Sequence, residues 1–264
     1  MLKIGVFDSG LGGLTVVEAM TKIIQDAEIY YVADTKNAPY GEKRPEQILQ
    51  YSLKITEYFI ETYHIDALIL ACNTATAYAI EQIRQNYPSL IIIGTEPGIK
   101  PAIEQTLSGK IGVLATPATL QGDKYRKLLD TLSVHKPVEI YQQACAGLVE
   151  EIEKGRVNSE TIKVLLDGWL TPMREKGVDT IVLGCTHYPL VSQSIEKIMY
   201  NNINLIHTGE AISKHLLDLS TQKGHLNEGE LFLEIQATGA IQVEIVNTIF
   251  NAEQTVNLIN LDKK

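Results

Sequence analysis

The stretch DALILACNTA, residues 66–75, has a close counterpart in DTIVLGCTHY, residues 179–188. Each begins with an aspartate, continues through a short apolar run, and reaches a cysteine six positions after the aspartate. Such runs, rich in branched side chains, are typical of buried strands in a parallel sheet. The sequence therefore places Cys72 and Cys185 at the ends of two similar predicted strands.

Other segments repeat in the same order along the chain. KIGVFDS at 3–9 matches KIGVLAT at 110–116, and Tyr31 aligns with Tyr141. The two tyrosines are slightly farther apart in sequence than the two KIGV segments, and the two cysteines are slightly farther apart again. Three matches in order, with a slowly growing offset, indicate an internal duplication of one α/β unit with loop-sized insertions.

Short apolar runs predict eight strands, separated by longer segments of helical period. The predicted strands are Lys3–Phe7, Glu28–Ala33, Ala67–Ala71, Leu90–Gly94, Lys110–Ala115, Val138–Gln143, Thr180–Gly184 and Ile203–His207. The clearest predicted helix is Pro45–Tyr63, and another at Ser159–Lys176 contains Pro172, where we expect a kink or an end. The alternation predicts an α/β fold with two similar parallel-sheet lobes and the active site in the cleft between them.

The tail that follows His207 has no counterpart in the second repeat. Its predicted elements are a helix at Glu210–Leu219, a strand at Leu231–Gln236 and a helix at Ala240–Phe250. We expect this tail to return to the first lobe. The predicted domains are therefore 1–95 together with 208–264, and 96–207.

Composition narrows the class of protein. The 264 residues carry a net charge of −9 with no stripe of Lys and Arg, so we expect no nucleic-acid partner. The N-terminal MLKIGVFDSG lacks the features of a signal peptide, and no apolar run reaches the ~18 residues of a membrane helix. Three cysteines without CxxC spacing favour reduced thiols, so we expect a cytoplasmic protein with no structural metal and no membrane partner.

Polar and reactive residues follow the predicted strands, at the edge where parallel sheets bind ligands. Asp8 and Ser9 follow the first strand, Cys72–Asn73–Thr74 the third, and Cys185–Thr186–His187 its copy. A cysteine that directly precedes a helix is favoured as a thiolate by the helix N-terminus. One such cysteine is more often a small core residue, but two at matching positions indicate chemistry. Cys145 has no such match, and we interpret it as structural.

Two groups of one kind at equivalent positions suit the inversion of a carbon centre. One group removes a proton from one face while the other supplies a proton to the opposite face, and the mirror-image substrate exchanges their roles. The flanking residues are unequal, since Asp8 aligns with Ala115 and His187 with Thr74. Either helper could accept or relay a thiol proton. The alternatives are an Asx turn for Asp8 and a loop or core position for His187.

Two glycine-containing segments lie on the same predicted edge. DSGLGG at 8–13 is followed by Thr15 where a dinucleotide turn needs its third glycine, so the sequence predicts no nucleotide cofactor. We interpret these glycines as letting the backbone approach a substrate carboxylate. APYGEKRP at 38–45 is typical of a turn, and its position makes Tyr40 and Gly41 candidate substrate contacts.

A set of motifs resembles the cofactor-independent glutamate racemases. They are FDSGLGGLTV (7–16), ADTKNAPYGEK (33–43), ACNTATA (71–77), EPGIKPA (96–102), GVLATPAT (112–119) and LGCTHYPL (183–190). The resemblance implies that Cys72 and Cys185 are the catalytic acid/base thiols. It also implies that the substrate amino acid contacts Asp8, Ser9, Tyr40, Gly41, Asn73, Thr74, Thr186 and His187. Glu150 resembles a supporting carboxylate near His187, with Glu151 and Glu153 as alternatives.

The resemblance implies an enzyme that interconverts L- and D-glutamate without cofactor or metal. In this family D-glutamate supplies peptidoglycan in the bacterial cytoplasm, and a homodimer is among the assemblies that the family allows. The alternatives within enzymes are an aspartate or other amino-acid racemase, or a decarboxylase or isomerase on the same scaffold. A two-lobed binding protein is the alternative outside enzymes, but it leaves both thiols without a use.

Overall fold

The computed structural model describes residues 1–132 and 137–262 of the chain. It divides into two compact units, Met1–Thr95 with Gly209–Lys264, and Glu96–Thr208. Each unit has its own parallel sheet. The residues after Thr208 thus belong to the unit that contains the first strand of the chain.

The elements alternate along the chain as a parallel α/β fold requires. Up to Thr95 they are β1 (Leu2–Asp8), α1 (Leu14–Thr21), β2 (Ala27–Ala33), a 3₁₀ helix (Tyr40–Glu42), α2 (Pro45–Tyr63), β3 (Ala67–Leu70), α3 (Asn73–Asn86) and β4 (Ile91–Gly94). The second unit contains α4 (Ile99–Gln105), β5 (Lys110–Ala115), α5 (Pro117–Gln121), α6 (Asp123–Leu132), β6 (Glu139–Ala144), α7 (Leu148–Glu153), α8 (Glu160–Glu175), β7 (Thr180–Gly184), a 3₁₀ helix (Tyr188–Val191), α9 (Ser192–Ile198) and β8 (Asn204–Ile206). The remaining elements are α10 (Gly209–Gln222), β9 (Leu231–Ala237), α11 (Val243–Phe250) and β10 (Val256–Leu258).

The two sheets share one strand order, which confirms the duplication. The first sheet runs β10-β9-β2-β1-β3-β4, and the second runs β6-β5-β7-β8, in the order of β2-β1-β3-β4. Ile4 lies opposite Ala67 in the first sheet, and Ile111 lies opposite Thr180 in the second. Ile111 matches Ile4, and Thr180 matches Ala67, in the alignment that the repeated sequence segments define. The cysteines after β3 and β7 therefore occupy equivalent strand ends.

The predicted alignment of Tyr31 with Tyr141 is wrong by one residue. Tyr141 pairs with Gly112, and the equivalent partner of Gly5 in the first sheet is Tyr30 rather than Tyr31. The phenol of Tyr30 donates a hydrogen bond to Glu28, and that of Tyr141 donates to Glu139, each at 2.6 Å. Because strand side chains alternate between faces, this shift puts Tyr31 on the opposite face of the sheet from Tyr30.

The predicted strands are all present, with ends that differ by at most one residue. The proline in α8 does not end that helix, which continues past Pro172 to Glu175. Pro172 lies in the last turn, where only one intrahelical hydrogen bond is lost. The short strand β10 was not predicted, because three residues are too few for a recognisable alternation.

The repeated aspartates stabilise the ends of the sheets that lie away from the cysteines. Asp66 accepts the backbone N–H of Lys3 at 2.9 Å. Asp179 accepts the backbone N–H groups of Leu107 and Ser108 at 2.8 and 2.6 Å, and the Thr106 hydroxyl at 2.6 Å. These carboxylates cap the loops that lead into the strands, so their role in the repeat is structural.

Candidate active site

Cys72 directly follows β3 and is the N-terminal cap of α3. Its Sγ accepts the backbone N–H of Ala75 at 3.4 Å, and only 6% of the residue is exposed. The helix N-terminus directs positive partial charge toward this sulfur and favours its thiolate form. The predicted setting of a thiol at a helix start is therefore present at Cys72.

The turn after β1 is held in place by its own polar groups. The carboxylate of Asp8, which is fully buried, accepts the backbone N–H of Gly13 at 2.7 Å. The phenol of Tyr31 donates to the carbonyl of Gly10 at 2.5 Å. A Cβ on Gly13 would lie 2.5 Å from the Cβ of Asp8 and 2.8 Å from the Tyr31 oxygen, so this position requires glycine. Gly13 therefore serves the packing of the turn, and Asp8 helps to close it.

Ser9, Asn73 and Thr74 surround Cys72 at the same strand end. The Cys72 thiol lies 3.9 Å from the Ser9 hydroxyl, and all three neighbours are nearly buried. Within residues 1–132 and 137–262, no acceptor lies in hydrogen-bonding range of the Asn73 amide nitrogen. A buried amide without an acceptor costs free energy, so it is suited to an anionic ligand group.

Tyr40 opens the 3₁₀ helix that also contains Gly41, and its hydroxyl donates to Asp34 at 2.6 Å. Burial, followed by the nearby charge of Asp34, raises the pKa of Tyr40 well above its ordinary value. The phenol therefore stays protonated and acts as a donor. Asp34 also accepts from Asn37 and from Thr238, and it was not among the predicted site residues. Its position directly after β2 was the available signal.

Cys185 follows β7 but does not precede an α-helix, so its predicted helix-start setting is wrong. The chain after Cys185 forms a turn in which Tyr188 N–H donates to the Cys185 carbonyl at 3.2 Å. A 3₁₀ helix that contains Pro189 follows. The ring of His187 takes the place of a helix N-terminus, because its Nδ1 lies 3.6 Å from Cys185 Sγ and 3.5 Å from the Thr186 hydroxyl.

The carboxylate beside His187 belongs to Glu153, the last residue of α7. Its Oε1 lies 2.5 Å from His187 Nε2. The preferred candidate Glu150 is one helical turn earlier, and its charge acts on Tyr188, whose pKa is raised first by burial and to a smaller extent by this charge. The third candidate, Glu151, pairs with Lys154 and Arg156. This contact corrects the sequence-based choice of Glu150 to the alternative Glu153. The sequence could not distinguish the three glutamates because they lie on the same short helix.

The environment of His187 favours its charged form. Burial by itself lowers the pKa of the imidazole, but the contacts with Cys185 and Glu153 outweigh this effect. Together they hold the pKa of His187 well above its ordinary value. A protonated imidazole next to a thiol stabilises the thiolate. Cys185 thus has a cationic neighbour, whereas Cys72 has a helix N-terminus.

Two hydroxyl groups at the end of β5 were missed by the sequence prediction. Thr116 directly follows β5, as Ser9 directly follows β1, and its Oγ1 lies 2.9 Å from Thr119 Oγ1. Both threonines are buried. The match of KIGVFDS with KIGVLAT already placed Ser9 over Thr116, so the signal was present in the sequence.

Cys145 is buried and lies outside the motifs that contain Cys72 and Cys185. It follows β6, and its backbone N–H donates to the Ala115 carbonyl at 2.9 Å. Burial raises the pKa of its thiol to about 12. The thiol is therefore protonated near neutral pH, which agrees with a packing role.

In residues 1–132 and 137–262, no helix is both long enough and apolar enough to cross a membrane.

Comparison with known proteins places these features in a family. The sequence model of the Asp/Glu/Hydantoin racemase family matches residues 4–216. The glutamate racemase of Sulfurovum sp. is 60% identical over 248 residues, which cover 94% of each chain. The structure of glutamate racemase isoform RacE1 from Bacillus anthracis has a TM-score of 0.88 and 30% identity, and covers 100% of this chain and 99% of its own.

A further solved structure is that of glutamate racemase from Francisella tularensis in complex with D-glutamate. It has a TM-score of 0.84 and 28% identity, and the match covers 99% of this chain and 98% of that chain. The family match spans most of the chain, and the high-identity relative covers nearly all of it. The chain therefore belongs to the Asp/Glu/Hydantoin racemase family, among its glutamate racemases.

Proposed function

We propose that the chain interconverts L- and D-glutamate by two-base proton transfer between the substrate and the thiols of Cys72 and Cys185. The observation that carries the proposal is the equivalent placement of these cysteines after β3 and β7, in two sheets of the same strand order. Glutamate is the substrate because the relatives of high identity are glutamate racemases. No nucleotide, pyridoxal phosphate or metal takes part.

The proton transfers balance over one turnover. One cysteine is a thiolate and removes the α-proton of glutamate, and the C–H electron pair stays on the α-carbon. The other cysteine is a thiol and delivers its proton to the opposite face of that carbon. The product is the other enantiomer, and the two cysteines have exchanged their protonation states. The reverse substrate starts from that exchanged state.

Residues of the first unit hold the substrate next to Cys72. The amide of Asn73 donates to a substrate carboxylate, and the hydroxyls of Ser9 and Thr74 complete the polar lining. Tyr40 and Gly41 contact the substrate from the 3₁₀ helix, with the phenol oriented by Asp34 at 2.6 Å. Asp8 closes the turn through Gly13, and in addition accepts a hydrogen bond from the substrate ammonium group.

Residues of the second unit act on Cys185. Glu153 fixes the ring of His187, and the imidazolium stabilises the Cys185 thiolate across 3.6 Å. Thr186 contributes a hydroxyl to the substrate carboxylate. Thr116 joins this set because it is the structural equivalent of Ser9. The unequal neighbours tune the two thiols by different means, a helix N-terminus at Cys72 and an ion pair at Cys185.

The activity is tested with purified protein in chelator and without added cofactor. Circular dichroism of L-glutamate is expected to decay to zero, and the same reaction in D₂O is expected to place deuterium at the α-carbon of the product. L-Aspartate in place of L-glutamate tests the alternative substrate and is expected to react far more slowly. A stable L-glutamate signal without deuterium uptake contradicts the proposal and favours a binding protein. Faster turnover of aspartate reassigns the substrate.

The cellular setting is part of the same proposal. D-Glutamate from this reaction enters peptidoglycan, and the enzyme works in the cytoplasm as a homodimer. The reduced thiols that the mechanism needs support this compartment. Depletion of the protein is expected to be rescued by external D-glutamate, and light scattering after size exclusion measures the assembly. Failure of rescue contradicts the peptidoglycan role, and a monomer mass contradicts the dimer.

A further inference from the structure

A cavity of about 450 Å³ lies in the first unit, and Cys72 is not among the described residues that line it. It is formed by residues that follow β2, β9 and β10, together with one face of α2. Its walls combine apolar side chains, among them Tyr51, Ile55 and Ile259, with two lysines. Protein sites for small molecules have this size and this mixture of apolar walls with a few charged groups. The carboxyl edge of a parallel sheet is also where such ligands bind.

The two lysines of this cavity hold an anion that the chain itself supplies. Lys36 Nζ lies 2.6 Å from one carboxylate oxygen of Asp262, and Lys54 Nζ lies 2.5 Å from the other. All three side chains are 43–58% exposed. Exposed ion pairs contribute little to stability, so a competing anion can replace this carboxylate at low cost.

We propose that this cavity binds a small organic phosphate, whose phosphoryl group takes the place of Asp262 between Lys36 and Lys54. A phosphate monoester near neutral pH carries nearly two negative charges and three acceptor oxygens, whereas Asp262 offers one charge and two oxygens. Lysine ammonium groups bind phosphate as point charges. The organic part of the ligand packs against Tyr51 and Ile55.

The buried carboxylate of Asp34 also lines the cavity, but its charge is directed elsewhere. Its oxygens accept hydrogen bonds from Tyr40 at 2.6 Å, from Thr238 at 2.7 Å and from Asn37 at 3.1 Å. Three residues of the protein therefore donate hydrogen bonds to the Asp34 carboxylate. The lysine ammonium groups remain the cationic face that the cavity presents to an incoming anion.

The same contacts link the cavity to Tyr40. The backbone N–H of Lys36 donates to the Thr238 hydroxyl at 3.1 Å, and Thr238 in turn donates to Asp34. The ring of Tyr51 lies 5.8 Å from that of Tyr40. A ligand that moves Lys36 and Tyr51 shifts Tyr40, and so changes the KM for glutamate. This second step rests on the proposed function, whereas binding itself does not.

Isothermal titration of phenyl phosphate into the full chain, without glutamate, tests the binding site. Asp262→Asn removes the competing carboxylate and is expected to bind at least threefold more tightly than the natural chain. The double variant Lys36→Met/Lys54→Met is expected to bind at least tenfold more weakly. Glu210→Gln and Lys214→Met are matched controls, because they break another exposed pair of 2.6 Å in the same unit. Both controls are expected to leave the affinity unchanged.

A misfolded variant would lose affinity for phenyl phosphate. The expected gain of affinity in Asp262→Asn therefore cannot result from a folding defect. Equal affinity of Asp262→Asn and the natural chain overturns the proposal, as does unweakened binding by the double lysine variant. Benzoate, with the same ring and a single charge, is expected to bind more weakly; equal binding overturns the assignment to phosphate. A chain that binds phenyl phosphate but does not racemise glutamate leaves this site standing and refutes the proposed function alone. An unchanged KM at saturating phenyl phosphate refutes the link to Tyr40.

Discussion

Glu153 Oε1 lies 2.5 Å from His187 Nε2, although the two residues are 34 positions apart in the chain. The other ring nitrogen of His187 lies 3.6 Å from Cys185 Sγ. One side of the imidazole is therefore fixed by a carboxylate and the other side faces a thiol. In the proposed mechanism, Glu153 therefore acts on Cys185 through His187.

Glu153→Gln is expected to lower kcat by about tenfold or more, because the charge of His187 loses its carboxylate partner. Glu153 contributes to the raised pKa of His187, so its removal lowers that pKa. The imidazolium is then lost at a lower pH, and the alkaline limb of the kcat profile moves to lower pH. Racemisation rates between pH 6 and 10 measure both effects.

Glu150→Gln is the matched comparison within the same helix. The carboxylate in contact with His187 is that of Glu153, so the pH profile of Glu150→Gln is expected to follow that of the natural enzyme. The opposite result would be a shift of the alkaline limb of the kcat profile in Glu150→Gln and no shift in Glu153→Gln. That result would identify Glu150 as the residue that supports His187.

Cys72→Ser and Cys185→Ser are each expected to lower racemisation by more than 10²-fold, since serine is a far weaker acid than cysteine. Cys145→Ala is the control, because the Cys145 thiol has a pKa of about 12 and lies outside the proposed chemistry. It is expected to retain activity. Full activity in either serine variant removes that residue from the mechanism. A loss in Cys145→Ala without loss of folding, checked by thermal unfolding, gives Cys145 a role.

Tyr31→Phe is expected to loosen the turn that holds Asp8 and Ser9, since the Gly10 carbonyl loses its donor. We expect a loss of about 1 kcal/mol in the free energy of unfolding and a lower kcat/KM. Because Ser9 lies beside Cys72, the alkylation rate of Cys72 by iodoacetamide should change while that of Cys185 stays constant. Mass spectrometry of the labelled peptides measures this ratio.

Tyr30→Phe is the control for Tyr31→Phe. It removes a neighbouring phenol that donates to Glu28 at 2.6 Å and leaves the turn intact. Equal changes in the labelling ratio for the two variants indicate a general effect on the sheet and contradict a specific role of Tyr31.

Asp179→Asn is expected to destabilise the protein in a pH-dependent manner. Burial alone raises the pKa of Asp179, but hydrogen bonds, led by that from Thr106, lower it from 3.8 to about 2. A lowered carboxyl pKa stabilises the fold above pH 3.8, and this contribution is lost as the pH falls toward 2. Because solvent screens this partly exposed carboxylate, we expect a contribution of about 1 kcal/mol at neutral pH. Urea unfolding should show that the difference from the natural chain narrows below pH 4.

Asp66→Asn is the equivalent change in the first unit. Asp66 accepts a hydrogen bond from Lys3 N–H, whereas four groups donate to Asp179. The loss of stability in Asp66→Asn is therefore expected to be smaller. A larger loss there contradicts the assignment of stability to the hydrogen bonds of Asp179.

The strands and their duplication were predictable because they depend on local patterns. Buried parallel strands require short apolar runs, and the matching strands Ala67–Leu70 and Thr180–Gly184 begin at the residues that the pattern indicated. The one-residue error at Tyr31 arose because Tyr30 and Tyr31 are identical in type. Only hydrogen-bond register, which depends on the neighbouring strand, distinguishes them.

The sequence by itself determined the α/β class, the repeat and the equivalent positions of Cys72 and Cys185, since each follows from periodicity and spacing along the chain. Tertiary structure decided which side chains meet. It selected Glu153 for His187, brought Asp34 to Tyr40, and set Asp262 against Lys36 and Lys54. These contacts join residues from different elements, and their choice depends on packing between helices and sheet edges, which local sequence does not specify.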